Sequence, residues 1–137
     1  MTRGKQRNVY AESIDLHRKH RGKIEDYSKV PITNRHELSL AYTPGVAEVC
    51  REIHKDKNLT YKYTLKANTI AIVTDGSRVL SLGNIGGSAA IPVMEGKALL
   101  FKKLAGIDAF PLCFERYHME FAEDIKNIAP VFGGIAL

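Results

Sequence analysis

The sequence predicts an α/β domain, three layers deep, around a mostly parallel sheet. Three observations carry this. Short β-rich apolar runs alternate with segments of helical period. A glycine-rich stretch, GNIGG (83–87), leads from an apolar run into a helix, the usual context of a strand–loop–helix turn. The 137 residues are 45% hydrophobic and 26% charged, enough for one domain with its own core.

Residues 9–21 read as a helix with Val9, Ile14 and Leu16 as sparse apolar contacts, ended near Gly22. The polar stretch 22–37, with Pro31, reads as a connection. Thr43 is placed to cap a helix whose first residue is Pro44. Val46, Val49, Cys50 and Ile53 follow at i, i+3, i+4, i+7, one apolar stripe over about three turns. Ile70–Val73 and Val79–Leu82 are β-rich runs, and Asp75-Gly76 between them suggests a hairpin. Ser88 can cap a helix from about 89 to 105, closed by Gly106. Residues 107–114 are the next strand and 119–129 an amphipathic helix with Phe121, Ile125 and Ile128 on one face. APVFGGIAL (129–137) begins a further apolar strand, either as if a larger protein continued beyond it or as a C-terminal edge strand.

Composition excludes some classes. No apolar run reaches about 18 residues, so no membrane span is expected. The N-terminus has no apolar segment of the secretory kind. Two cysteines, Cys50 and Cys113, sit in apolar contexts and read as buried thiols in a reducing, cytoplasmic setting. Net charge is +5, and residues 1–29 hold eight Lys/Arg against four Asp/Glu. This reads as a solvated basic helix. Without interleaved aromatics or zinc-ligand spacing, no nucleic-acid partner is expected.

Four residues are candidates for chemistry. Lys97 lies at i+4 from Val93 and i−4 from Phe101, on a stripe with Leu100 and Leu104. That places it on the buried side, where desolvation disfavours the ammonium and makes a base. The alternative is a lysine that snorkels to solvent, or pairs with Glu95 or Asp108. Tyr42 stands before the Thr43 cap, near free amides and the positive helix end, where a phenol can serve as an acid. The alternative is a staple packed on the first turn. Arg78 has the planar fork that clamps a carboxylate, or is a surface arginine. Asn84 lies in a loop whose G-x-x-G-G spacing departs from the dinucleotide fingerprint, so the loop reads as an anion or substrate loop. Lys66 and Asn68 are weaker carboxylate binders. Histidines 17, 20, 36, 54 and 118 form no ligand pair, and His17 and His20 read as solvent-facing.

Together LSLAYTPGVAEVC, TDGSRVLSLGNIGGSAAIPVMEGKALLFKKLAGIDAFPL and IAPVFGGIAL resemble the N-terminal domain of malic enzymes of the small, prokaryotic type. The resemblance implies the fold shared by the substrate domains of malic enzymes and amino-acid dehydrogenases. It implies a basic arm over 1–30 and the substrate domain over 31–137. It also implies oxidative decarboxylation of L-malate to pyruvate and CO₂, with NAD or NADP and with Mg²⁺ or Mn²⁺. By motif, Tyr42 matches the proton donor, Lys97 the general base and Arg78 a carboxylate-binding arginine. Ala67 and Ser81 replace glycines of the family pattern. The family's metal ligands begin just after the position of Leu137 and its dinucleotide domain follows. Hence no metal or cofactor ligand is expected within 1–137, and these residues alone are expected to be inactive. Homodimers or larger homo-oligomers are also implied.

Overall fold

The computed structural model describes residues 8–115 and 121–137. His118 and the predicted helix positions 119 and 120 lie outside the described residues. Three strands run parallel: β1 (Thr69–Thr74), β2 (Asp108–Cys113) and β3 (Gly134–Ala136), in the order β2-β1-β3. Thr69 is level with Asp108, and Ile72 with Ala136. Ala71, Ile72 and Val73 are all buried. Successive strand residues face opposite ways, so both faces of β1 are covered, as a central parallel strand requires.

The expected hairpin does not form. Leu80–Leu82 is a 3₁₀ turn instead. The Val79 N–H donates to the Gly83 carbonyl at 2.9 Å and Leu80 has φ +50°, so the run closes on itself. Both edges of β1 are already taken by parallel partners. The chain passes on to the long helix α5 (Gly86–Ala105), which packs mainly against β2.

Helix α5 starts at Gly86, three residues before the expected position, and ends where predicted at Gly106, φ +70°. Its buried face is Gly87, Ala90, Met94 and Ala98. These small residues let the helix approach the sheet. Met94 and Ala98 meet Ile72, with Val93, Phe101, Ala109 and Cys113 around them. Leu100 and Leu104, placed on the core stripe from the sequence, are exposed.

The N-terminal part is a series of helices with little support. α1 (Val9–His20) is capped by the Asn8 side chain. Val9, Ile14 and Leu16 are exposed rather than packed. The helix ends at Arg21 in the left-handed conformation, one residue before Gly22. His17 is not simply solvent-facing: it is half-buried, its Nδ1 bonds the Ser13 carbonyl at 2.7 Å and its Nε2 meets Lys23 Nζ at 2.6 Å. α2 (Arg35–Ala41) begins inside the predicted connection and runs four residues past it. Asn34 accepts from the Glu37 N–H, and the Glu37 carboxylate accepts from the Thr33 N–H and hydroxyl. Those bonds, the backbone one first, hold the Glu37 carboxyl below the usual range. α3 (Val46–Lys55) begins after Gly45, with no side-chain cap. Thr43 therefore does not cap it, and the Thr43–Pro44 peptide is cis. α4 (Thr60–Tyr63) leads towards β1, and α6 (Phe121–Ile128) precedes β3.

No residue of α1, α2 or α3 is buried. On the α3 stripe, Val49 and Cys50 are exposed. The accessible surface is 11314 Å², against about 7,100 Å² for a compact monomer of this mass. The core is smaller than composition suggested, and much apolar surface awaits cover. Neither cysteine is a fully buried thiol: Cys50 is exposed and Cys113 half-buried. Burial first, then the Glu115 charge, pushes the Cys113 thiol up. Iodoacetamide should therefore modify Cys50 well before Cys113 in the native chain, read by mass spectrometry of quenched aliquots. Equal rates would contradict this packing. No helix of the described residues is long and apolar enough to cross a membrane.

Candidate active site at the carboxyl edge of the sheet

Parallel sheets bind ligands beyond the carboxyl ends of their strands. Here three segments meet at that edge. β1 ends at Thr74, whose hydroxyl accepts the Gly76 N–H at 3.1 Å. Asp75 closes the turn by accepting the Ser77 N–H at 2.9 Å. Hydrogen bonding from Ser77, side chain first and then backbone, holds the Asp75 carboxyl below its ordinary value. The start of α5 is tied to this turn by the Ile85 N–H donating to the Gly76 carbonyl at 3.0 Å. The end of β2 joins through the Phe114 N–H on the Thr74 carbonyl at 2.8 Å.

Sequence reasoning missed Glu115. Its carboxylate accepts from the Ser88 N–H at 3.1 Å and from the Ser88 hydroxyl. Ser88 is thus not the cap of α5; it is the third helical residue, and Glu115 supplies the acceptor from β2's end. A carboxylate beside the first turn also suits the positive end of the helix. The anion predicted for loop 83–87 finds part of this end held by the chain's own acid. The only local signal was an acid directly after a strand, with its partner 27 residues away.

Tyr42 is the residue that closes α2, its N–H on the Leu38 carbonyl at 2.8 Å, while α3 starts four residues later. It therefore stands three residues ahead of the Gly45 cap of α3, not immediately before a Thr43 cap. The Tyr42 carbonyl accepts the Val46 N–H at 2.8 Å, and the side chain is 67% exposed. Lys97 is exposed as well. The helix turns its Ala90–Met94–Ala98 face to the sheet, and Lys97 falls beside that face rather than on it. The desolvation assigned to it is not supplied by the described residues. It pairs with neither Glu95 nor Asp108; Asp108 takes Lys102 at 2.6 Å and Asn68 at 3.2 Å. Bonding to Lys102, and then Asn68, holds the Asp108 carboxyl below its usual range.

Arg78 and Asn84 are exposed on the segment joining β1 to α5. Arg78 precedes the 3₁₀ turn, not a strand. Gly86 and Lys97 are separated by about 16 Å of helix rise. Thus Arg78 and Asn84 share the carboxyl edge, whereas Lys97 lies further along α5 and Tyr42 on another element. None of the four side chains has a hydrogen bond or ion pair to another described residue, so all four remain available.

Lys66 and Asn68 are not at this edge. Lys66 donates to the carbonyls of Ala129 and Phe132, and Asn68 to the Gly106 carbonyl. They line the amino edge, where cavities of about 220 Å³ and 290 Å³ flank Tyr61 and Lys66. Among the described residues no three His, Cys, Asp or Glu side chains gather to hold a metal.

Comparison with known proteins agrees with this architecture. The profile of the malic enzyme N-terminal domain matches residues 21–127. The bifunctional malic/malolactic enzyme of Bacillus subtilis is 53% identical over 127 residues, 92% of this chain and 31% of that protein. The NADP-dependent malic enzyme of Escherichia coli is 47% identical over 117 residues, 85% of this chain and 15% of that one. The crystal structure of the NAD-dependent malic enzyme of Thermotoga maritima superposes with a TM-score of 0.86 at 50% identity, covering 90% of this chain and 33% of that chain. The chain thus spans a third or less of the length of these relatives. With the profile covering most of its residues, the chain belongs to the malic enzyme family, in the part that forms the family's N-terminal domain.

Proposed function

We propose that residues 1–137 are the substrate side of a malic enzyme that converts L-malate to pyruvate and CO₂ with NAD or NADP as oxidant. One observation carries the proposal: within the matched domain, Tyr42 and Lys97 stand exposed and unpartnered, free to meet a substrate. Lys97 takes the proton of the malate C2 hydroxyl, and Tyr42 returns a proton to C3 of the enolate left when CO₂ departs. Arg78 and Asn84 hold carboxylate oxygens of malate. These two proton transfers are the steps this reading assigns to residues 1–137.

The reading includes assembly into a homodimer or larger, for which exposed apolar side chains such as Val9, Ile14, Leu16 and Leu40 offer surface. Sedimentation of the chain as a monomer at high micromolar concentration would argue against self-association through these residues.

The test uses a chimera in which residues 1–137 replace the matching N-terminal part of the T. maritima enzyme. Malate-dependent formation of NADH or NADPH with Mn²⁺ is expected, and its absence from a folded chimera sinks the proposal. Tyr42→Phe should lower pyruvate release by roughly 10²-fold or more. Pyruvate production at the parent rate would remove the acid role.

A further inference from the structure

We infer that Lys66 is a positioning residue: it pins the segment ahead of β3, and so sets the register of that strand on β1 and the height at which the chain leaves the carboxyl edge. This deepens the proposed function and rests on it, because the carboxyl edge is where that reading places the chemistry.

β3 has three residues, matched from Ile70↔Gly134 to Ile72↔Ala136. So short an edge strand makes few ladder bonds, and a slip of one residue would reverse every side chain in it. Something outside the strand must hold it. The Lys66 ammonium donates to the Ala129 carbonyl at 3.0 Å and the Phe132 carbonyl at 2.6 Å, 63 and 66 residues away. Ala129 follows the last residue of α6, and Phe132 follows the 3₁₀ turn Ala129–Val131. The Ala129 carbonyl also accepts the Phe132 N–H at 3.2 Å, and Phe132 lies in extended backbone just past the turn, so the ammonium ties together the two ends of the turn that leads into β3.

Lys66 is itself held. Its N–H donates to the Thr64 hydroxyl at 3.2 Å, inside the capped 3₁₀ turn Leu65–Ala67. Its ammonium lies 5.1 Å from the centre of the Tyr61 ring, a cation–π distance. One residue after Phe132, the Gly133 N–H donates to the Thr69 carbonyl at 2.7 Å. The amino ends of β1 and β3 are thus locked by a side chain and a backbone bond together. The last matched pair is Ile72 with Ala136, three residues ahead of Asp75 along β1. The lysine that the sequence offered as a carboxylate binder acts instead at the opposite edge, through the backbone.

The test has two arms. In the 137-residue chain, Lys66→Met should speed amide exchange of 133–137 by about tenfold or more, with the β1–β2 amides unchanged. Lys66→Arg, which keeps several donors, should restore protection. In the T. maritima chimera, Lys66→Met should lower kcat per folded enzyme by roughly 10- to 100-fold, while KM for malate moves by less than about threefold and Lys66→Arg recovers most of the rate. Unchanged exchange in β3, or faster exchange with kcat intact, overturns the inference. A chimera with Lys66 intact that fails to oxidise malate defeats the proposed function, and the exchange arm then still decides whether Lys66 sets β3.

Discussion

Lys97→Ala in the chimera is expected to reduce malate oxidation by about 10²- to 10⁴-fold, the range lost when a general base is removed. The reasons lie in its placement. Lys97 is in the middle of a 20-residue helix, exposed and without a partner among the described residues. Alanine is the best helix former, so the substitution removes the amine and leaves α5 intact. The melting temperature should therefore stay within about two degrees of the parent, as for an exposed position. A large kinetic loss on an unchanged fold isolates the chemical role. Added methylamine should return part of the rate, because a small amine can enter the space that the side chain leaves. A variant retaining more than about a fifth of the parent rate would show that the base is another group. The exposure of Lys97 adds a condition. A base that works near neutral pH needs cover from water, and no described residue provides it. In the chimera that cover has to come from outside the described residues.

The order of the central unit was legible because each element carries its own period and stop signal. Ile70–Val73 is β-rich, Gly106 ends α5 in the left-handed conformation, and β2 begins at Asp108, within one residue of the expected start. The errors come from properties that one stretch does not contain. Val79–Leu82 has strand composition but turns into a 3₁₀ element, since β1 already has neighbours on both sides. The α5 face was misjudged by counting Leu100 and Leu104 as core. The helix approaches the sheet through Gly87, Ala90 and Ala98, and small residues carry little weight in a hydrophobic pattern. The Asn34–Glu37 box was present in the sequence and would have revealed α2. Tyr42 and Lys97 are proposed from the motifs around them. The Thr43 cap and the buried stripe first offered as their local physics are not what the chain builds.

Three glycines at the carboxyl edge should separate crowding from backbone strain, and two of them should show large stability losses. Gly76 has φ +71°, and a Cβ there would lie 2.1 Å from the Gly86 carbonyl oxygen. At Gly87 a Cβ would lie 2.3 Å from the Phe114 carbonyl oxygen, with no positive φ involved. Gly83 has φ +72° but nothing within 4 Å of the added atom. Gly83, at ψ −138°, lies outside the left-handed helical region, so Gly83→Ala meets strain alone and should cost about 1–3 kcal/mol. Gly76→Ala and Gly87→Ala push against backbone that cannot rotate away. They should each cost at least about 4 kcal/mol, in the range reserved for a broken structural mechanism. For a chain of this size that is roughly 4–12 °C in Tm for Gly83→Ala and more than about 15 °C for the other two. Thermal unfolding of the 137-residue chain reads all three. Similar losses would mean that conformation, not contact, sets the cost; tolerance at Gly87 would mean that α5 and the end of β2 are not in van der Waals contact. The contrast bears on the site, because Gly76 begins the turn that carries Arg78 and Gly87 brings Ser88 to Glu115. The glycine-rich stretch that first suggested a ligand loop therefore has a structural role. It lets the end of β1, the start of α5 and the end of β2 meet at one edge, and leaves Asn84 and Arg78 exposed there.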